Sequence, residues 1–146
     1  MLIKLLSTQI PAFWDTIKFC CKEADMVKPE NYQAYFNELL HSLLSDKAQC
    51  LVRLDEDRTI IALFITRIAG DKITGKKFIH VQTGYSFKPV QDDVWAGEFV
   101  DVVKMAKAIG CHKIILSTSN PNVIKITEKL RMTEALRTYE YIIGGN

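Results

Sequence analysis

Three consecutive segments with a period of two, Gln49 to Leu54, Thr59 to Ile68 and Lys77 to Phe87, fill the middle of the chain. Such alternation cannot bury one face of a helix, but it fills one side of a pleated strand. The first two are joined by the charged tip Asp55, Glu56 and Asp57, and the next turn runs from Gly70 to Gly75. Connections this short join only antiparallel neighbours, so the three segments read as a meander at the centre of a sheet. Gly84 interrupts the third, where a glycine marks a bulge or a close backbone approach.

Around the meander the period changes. Leu2 to Leu6 is a short apolar strand candidate. Pro11 then suits the first turn of a helix carrying Phe13, Ile17, Cys20, Cys21 and Ala24 up to about Asp25. Lys28 and Pro29 break that pattern, and a second helix from Glu30 puts Tyr32, Tyr35, Phe36, Leu39, Leu40, Leu43 and Leu44 on one broad core face. After Pro89, the stripe Trp95, Phe99, Val102, Val103, Ala106 and Ile109 makes a third helix, with Gly110 suited to its C-terminal cap. Lys113 to Leu116 follows as a short buried strand, which implies a right-handed crossover and parallel pairing. Asn122 to Leu130 is a helix, and Glu134 to Ile143 reads as a closing β-arm. The order β-α-α-β-β-β-α-β-α-β describes an α/β domain with a mixed central sheet flanked by helices.

With 146 residues, 48% of them hydrophobic and 25% charged, residues 1–146 make one domain able to bury a sizeable core. A net charge of +2 supplies no basic stripe, so no nucleic-acid partner is expected. Cys20, Cys21, Cys50 and Cys111 form no C-x-x-C pair, and His41, His80 and His112 are scattered, so no metal site is expected either. The thiols read as reduced, with Cys20, Cys21 and Cys111 buried on apolar stripes. The first residues do not form a signal peptide, and the longest apolar run, Ile60 to Ile65, falls far short of the ~20 residues of a membrane span. A cytoplasmic protein with no membrane contact is the expectation.

The element order resembles that of the GNAT N-acetyltransferase superfamily, and two local patterns carry the likeness. The family's loop Gln/Arg-x-x-Gly-x-Gly/Ala, which opens a helix, corresponds to Gln91, Val94 and Ala96, with Val94 in place of the first glycine. The family's Asn-x-x-Ala-Ile-x-x-Tyr-Glu-Lys-Leu-Gly-Phe corresponds to the run from Asn120, where Asn120, Ile124, Glu128, Lys129 and Leu130 are in register. The resemblance implies an acyl-CoA N-acyltransferase fold in which Lys77 to Phe87 splays from Lys113 to Leu116. It also implies acetyl-CoA contacts at Gln82, Thr83, Gln91, Val94, Trp95, Ala96 and Asn120. The loop's backbone N–H groups would cradle the pyrophosphate at a helix N-terminus. Departures are equally specific. Thr127 stands where many members carry a tyrosine that protonates the leaving thiolate, and Arg131 and Met132 replace Gly-Phe. Asp92 and Asp93 bring negative charge to a loop meant for a diphosphate. The expectation is weak acetyl-CoA binding, or none.

Acetyl transfer needs a neutral amine, an oxyanion donor and, in some enzymes, an acid. The resemblance places the donor among the backbone N–H groups near Gln82 to Gly84. His80 and Thr127 are the candidate catalytic residues. His80 shares one strand face with Phe78, Gln82 and Gly84, opposite Ile79, Val81, Tyr85 and Phe87; a hydrogen-bonded structural histidine is the plainer reading of it. Thr127, whose hydroxyl supplies no proton at neutral pH, reads more plainly as an ordinary helix residue. Glu98 and Asp101 read as solvated charges. Lys125 and Lys129 face solvent or a 3′-phosphate. Two function classes follow: an acetyl-CoA-dependent N-acetyltransferase acting on an unidentified amine, or an inactive GNAT-fold binding or structural protein, such as a phage assembly or virion component. Either leaves room for a protein partner or a homo-oligomer, and the second for a place in the virion.

Overall fold

The computed structural model describes residues 2–144. Strand β1 (Ile3–Lys4) leads through a 3-10 turn into helix α1 (Ile10–Asp25), and a second 3-10 turn precedes helix α2 (Tyr32–Leu44). The meander follows as β2 (Ala48–Leu54), β3 (Ile60–Gly70) and β4 (Lys77–Ser86), then α3 (Asp92–Ala108), β5 (Cys111–Leu116) and α4 (Pro121–Lys129). Pro11 lies in the first turn of α1, where its missing N–H has no intrahelical partner to lose. That helix stops at Met26, which takes the left-handed conformation (φ 50°), and Lys28 before Pro29 is extended.

The strands form one 5-stranded sheet in the order β1-β2-β3-β4-β5. Neighbours from β1 to β4 are antiparallel, and β4 pairs with β5 in parallel. Helices α1 and α2 cover one face, where Ile17, Cys20, Cys21, Leu39 and Leu43 pack on Cys50, Val52, Leu63 and Ile65. Helix α3 covers the other, with Val102 and Ala106 on Leu51 and Ile79. The mixed central sheet flanked by helices, expected from the periodicities, is present.

Pairing between β4 and β5 begins at Lys77 and Cys111 and ends at Val81 and Leu116. From Gln82 to Ser86, β4 runs on with β3 alone beside it. This leaves half of a central strand with one side open, next to the start of α3.

Three expectations need correction. The β-arm at residues 134–143 is not a strand: no regular element follows α4, and Leu136, Tyr139, Tyr141 and Ile143 are exposed. Propensity favours a strand there, but a strand persists only with a ladder partner and a face to bury, and this segment has neither. Glu98 is not solvated. It is 3% exposed, accepts a hydrogen bond from Arg53 Nη1 at 3.3 Å, and its Oε2 has no partner among the described residues. Asp101 accepts the backbone N–H of Leu2 at 3.0 Å, which pins the first strand to α3. Cys111, at the start of β5, is half-buried rather than buried.

Burial pushes the Glu98 carboxyl above its ordinary value of 4.5, with Arg53 pulling the other way. A raised carboxyl binds its proton more tightly in the folded chain. Its contribution to stability is therefore fully present below the ordinary value and is lost as pH rises through the raised one. We expect Glu98→Gln to stabilise the protein by about 1 kcal/mol at neutral pH, because a neutral amide carries no charge into the buried site. That gain should fade as pH falls towards 4.5. Denaturant melts of both proteins across pH 4–8 check this.

Candidate functional site

The open half of β4 begins at an irregularity. Ile65 pairs with Thr83 and Thr66 pairs with Val81, so Gln82 is an extra residue on β4 with no partner on β3. A bulge of this kind inverts the in-and-out alternation of everything beyond it. Ile79 and Val81 share one face, as expected, and pack in the α3 layer, and His80 stands opposite Arg67. Beyond Gln82 the expected faces exchange. Tyr85 packs on the α1 side, edge-on to Phe19 at 5.8 Å, and Phe87 stacks on Phe19 at 5.9 Å. Gly84 joins the opposite face, where a Cβ would lie 3.3 Å from the Phe64 ring. The glycine thus marks the close approach, and the bulge sits two residues earlier.

The bulge gathers polar side chains from both helices of that layer. Asp25 closes α1, and its Oδ2 accepts hydrogen bonds from the Tyr35 hydroxyl, from Thr83 Oγ1 at 2.7 Å and from Gln82 Nε2 at 3.5 Å. Gln82 Nε2 also donates to Tyr35 Oη at 3.1 Å, while its Oε1 accepts from Arg67 Nε. Arg67 continues the chain: Nη1 and Nη2 each donate to Glu38 at 2.7 Å, and Ser42 Oγ donates to the same carboxylate at 2.9 Å. The bidentate arginine holds the Glu38 carboxyl below its ordinary value. Burial, together with the bond to Asp25, pushes the Tyr35 phenol far above its own. Burial, and secondarily Arg67, lowers His80, which is therefore a neutral imidazole at physiological pH. Cys21, under this cluster, is pushed up to about 12 by burial and by Asp25, so it stays a thiol.

The remaining expected residues fall elsewhere. Gln91 is the N-cap of α3, and its carbonyl takes the N–H groups of both Val94 and Trp95 at 3.1 Å. Asp92 and Asp93 fill the first turn, and Asp92 is ion-paired with Lys129 of α4, which faces solvent as expected. Val94 is half-buried and Ala96 exposed. Trp95 stands edge-on to Phe64 at 5.6 Å, which ties α3 to the strand opposite Gly84. Asn120 caps α4, its side chain accepting the Asn122 N–H at 2.9 Å. Thr127 Oγ1 donates to the Ile124 carbonyl at 2.6 Å, a bond within its own helix. No hydrogen bond among the described residues links His80 to Thr127 or either to α3.

Of the expected set, the structure brings Gln82 and Thr83 into one network and sets His80 beside its arginine. It adds Asp25, Tyr35, Arg67 and Glu38, which sequence reasoning missed. One signal was available for Asp25: an acid in the last turn of a helix opposes the macrodipole and calls for compensation. A concavity of about 470 Å³ is a different feature. It lies near the start of α1, between Phe13, Thr16, Ile60, Ile61 and Phe87, at the opposite end of that helix from Asp25.

No protein-family model matches the sequence, and no curated protein matches it. Solved structures do match in fold. An aminoglycoside acetyltransferase from an uncultured soil metagenomic sample superposes with a TM-score of 0.72 at 16% identity, covering 99% of this chain and 98% of the other. An aminoglycoside N-acetyltransferase in complex with CoA gives 0.70 at 17% identity, covering 99% and 95%. The ribosomal-protein-alanine N-acetyltransferase of Brucella melitensis biovar Abortus 2308 gives 0.64 at 16%, covering 98% of each.

Two outcomes follow from this geometry. Gly84→Ala should destabilise the protein by about 1–3 kcal/mol, because the added methyl forces the Phe64 ring, packed edge-on against Trp95, to shift; thermal melts measure it. In the native protein a small thiol reagent should modify Cys111 promptly, leaving Cys20, Cys21 and Cys50 until unfolding. Peptide mass spectrometry after timed labelling reads that order.

Proposed function

We propose that this chain, which has the fold of the GNAT N-acetyltransferases, is an acyl-CoA-dependent N-acyltransferase that holds its cofactor weakly. One observation carries the reading. Strand β4 bulges at Gln82, loses β5 after Val81, and runs directly towards the first turn of α3 at Asp92. A thin ligand can lie along that open strand with an anionic end at the helix N-terminus. The cofactor would supply the acyl group as a thioester.

The first turn of α3 fits such a ligand in its backbone and opposes it in its side chains. The N–H groups of Asp92 and Asp93 have no acceptor among the described residues, which suits a phosphate. Val94 N–H is already bonded to Gln91, and a valine side chain takes the space a glycine would leave. Asp92 occupies Lys129, and Asp93, in none of the ion pairs among the described residues, adds a second negative charge. Gln82 and Thr83 orient the bulged backbone, where an oxyanion would be met. His80, neutral at pH 7, is free to take a proton there. Thr127 contributes no acid, and a thiol of pKa ~8.5 leaves adequately without one. A second reading, an inactive scaffold or structural component, draws on the same α3 turn: its acids are placed as helix-stabilising residues are.

Calorimetry with acetyl-CoA separates the two. We expect weak binding by the unaltered protein. Val94→Gly should strengthen it by roughly tenfold, about one hydrogen bond's worth. Asp92→Ala combined with Asp93→Ala should strengthen it further, most at low salt, because the change removes two charges and releases Lys129. Tight binding by the unaltered protein would overturn the reading of the loop. Silence from every variant would favour the scaffold.

A further inference from the structure

Asp25 breaks three local rules at once. It ends a helix, where the macrodipole disfavours an acid. It is half-buried, yet it belongs to none of the ion pairs among the described residues. Arg67, which reaches the same network through Gln82, is committed to Glu38, and Lys22, one turn back on α1, lies over the rings of Tyr32 at 4.5 Å and Phe36 at 5.7 Å. Its bonding is also one-sided. Oδ2 takes all three donors, Tyr35, Thr83 and Gln82. Oδ1 takes none among the described residues and is not closed off from solvent.

We propose that Asp25 Oδ1 is a docking point for an ammonium group, and that the ligand carries at least two amino groups. A carboxylate clamped through one oxygen is fixed in place while the other oxygen keeps its lone pairs for a visitor. The absent counter-charge defines that visitor as a cation. A carboxylate also favours the charged form of the amine it holds, so the anchored amine keeps its proton and is no nucleophile. A second, unanchored amine of the same molecule is then the one presented at the bulge, beside Gln82 and His80. The role of this ligand as acyl acceptor, and with it the need for a second amine, rests on the transferase reading; the binding of an ammonium group at Asp25 does not.

The probe is putrescine, titrated into the full chain by calorimetry without CoA, with 1,4-butanediol as the uncharged control. We expect putrescine to bind and butanediol not to. Asp25→Asn, close to isosteric, should weaken putrescine by roughly ten- to a hundredfold, the loss of a charge-assisted bond. Tyr35→Phe, which loosens the clamp but leaves the charge, should weaken it by a smaller factor. Circular dichroism melts confirm that both variants fold. Failure of the unaltered protein to bind putrescine, equal binding of butanediol, or undiminished affinity in a folded Asp25→Asn would each overturn the proposal. Where acetyl-CoA supports turnover, putrescine should outrun butylamine, and Asp25→Asn should erase that preference by raising KM. Equal use of both amines by the unaltered protein would overturn the two-amine requirement. Putrescine binding through Asp25 with no acetyl-CoA binding in any variant would uphold the amine site and sink the transferase reading.

Discussion

The single extra residue at Gln82 determines most of what is distinctive in this molecule. Without it β4 would alternate evenly from Lys77 to Ser86, and Tyr85 would lie in the α3 layer. With it, Tyr85 and Phe87 close over Phe19 of α1, and Gly84 turns towards Phe64. The bulge also stands where β5 leaves the ladder, so the strand is irregular on one side and open on the other over the same residues. Side chains from α1, α2 and β3 converge there because the bulge points both Gln82 and Thr83 at the layer that holds Asp25 and Tyr35.

The aromatic contacts explain how a central strand tolerates that irregularity. Phe64, paired with Gly84, meets Trp95 of α3 on one face. Phe19 of α1 meets Tyr85 and Phe87 on the other. Rings on both sides brace the unpaired half of β4, replacing the ladder that β5 would have supplied. Edge-to-face pairs of this kind add about 0.5–1.5 kcal/mol each beyond the area they bury.

Much of this architecture was legible in the sequence, because the meander and the helices are written in two different periods. Pairing, however, is a property of two segments. Residues 134–143 carry strand-forming side chains, and only the fold reveals that no partner meets them. The same limit hid the bulge. Gly84 showed that something irregular happens in the strand, but register is set between β3 and β4 and not within either. Asn120 and Gln91, the expected ligand contacts, both stand at N-cap positions: the Asn120 side chain accepts a backbone N–H as capping asparagines commonly do, whereas Gln91 meets α3 through its carbonyl alone. Glu98 shows the converse. An acid on a helix reads as solvated until a neighbouring β2 arginine and the closing core enclose it.

The acidic residues make the sharpest contrast, because identical chemistry carries opposite meanings at the two ends of a helix. Asp92 and Asp93 sit in the first turn of α3, where the dipole welcomes negative charge, and Asp92 is further satisfied by Lys129. They need no function to account for them, and any anion approaching that turn must compete with them. Asp25 sits at the last residue of α1, against the dipole, in none of the ion pairs among the described residues, and with three donors spent on one oxygen. Helix stability alone would exchange it for a lysine or an asparagine. A group held at a local disadvantage by a built network is the kind of exception that functional sites leave in a structure. On that argument the proposed activity is better sought at the Asp25 side of the bulge than at the first turn of α3, although the sequence pattern points first to the latter.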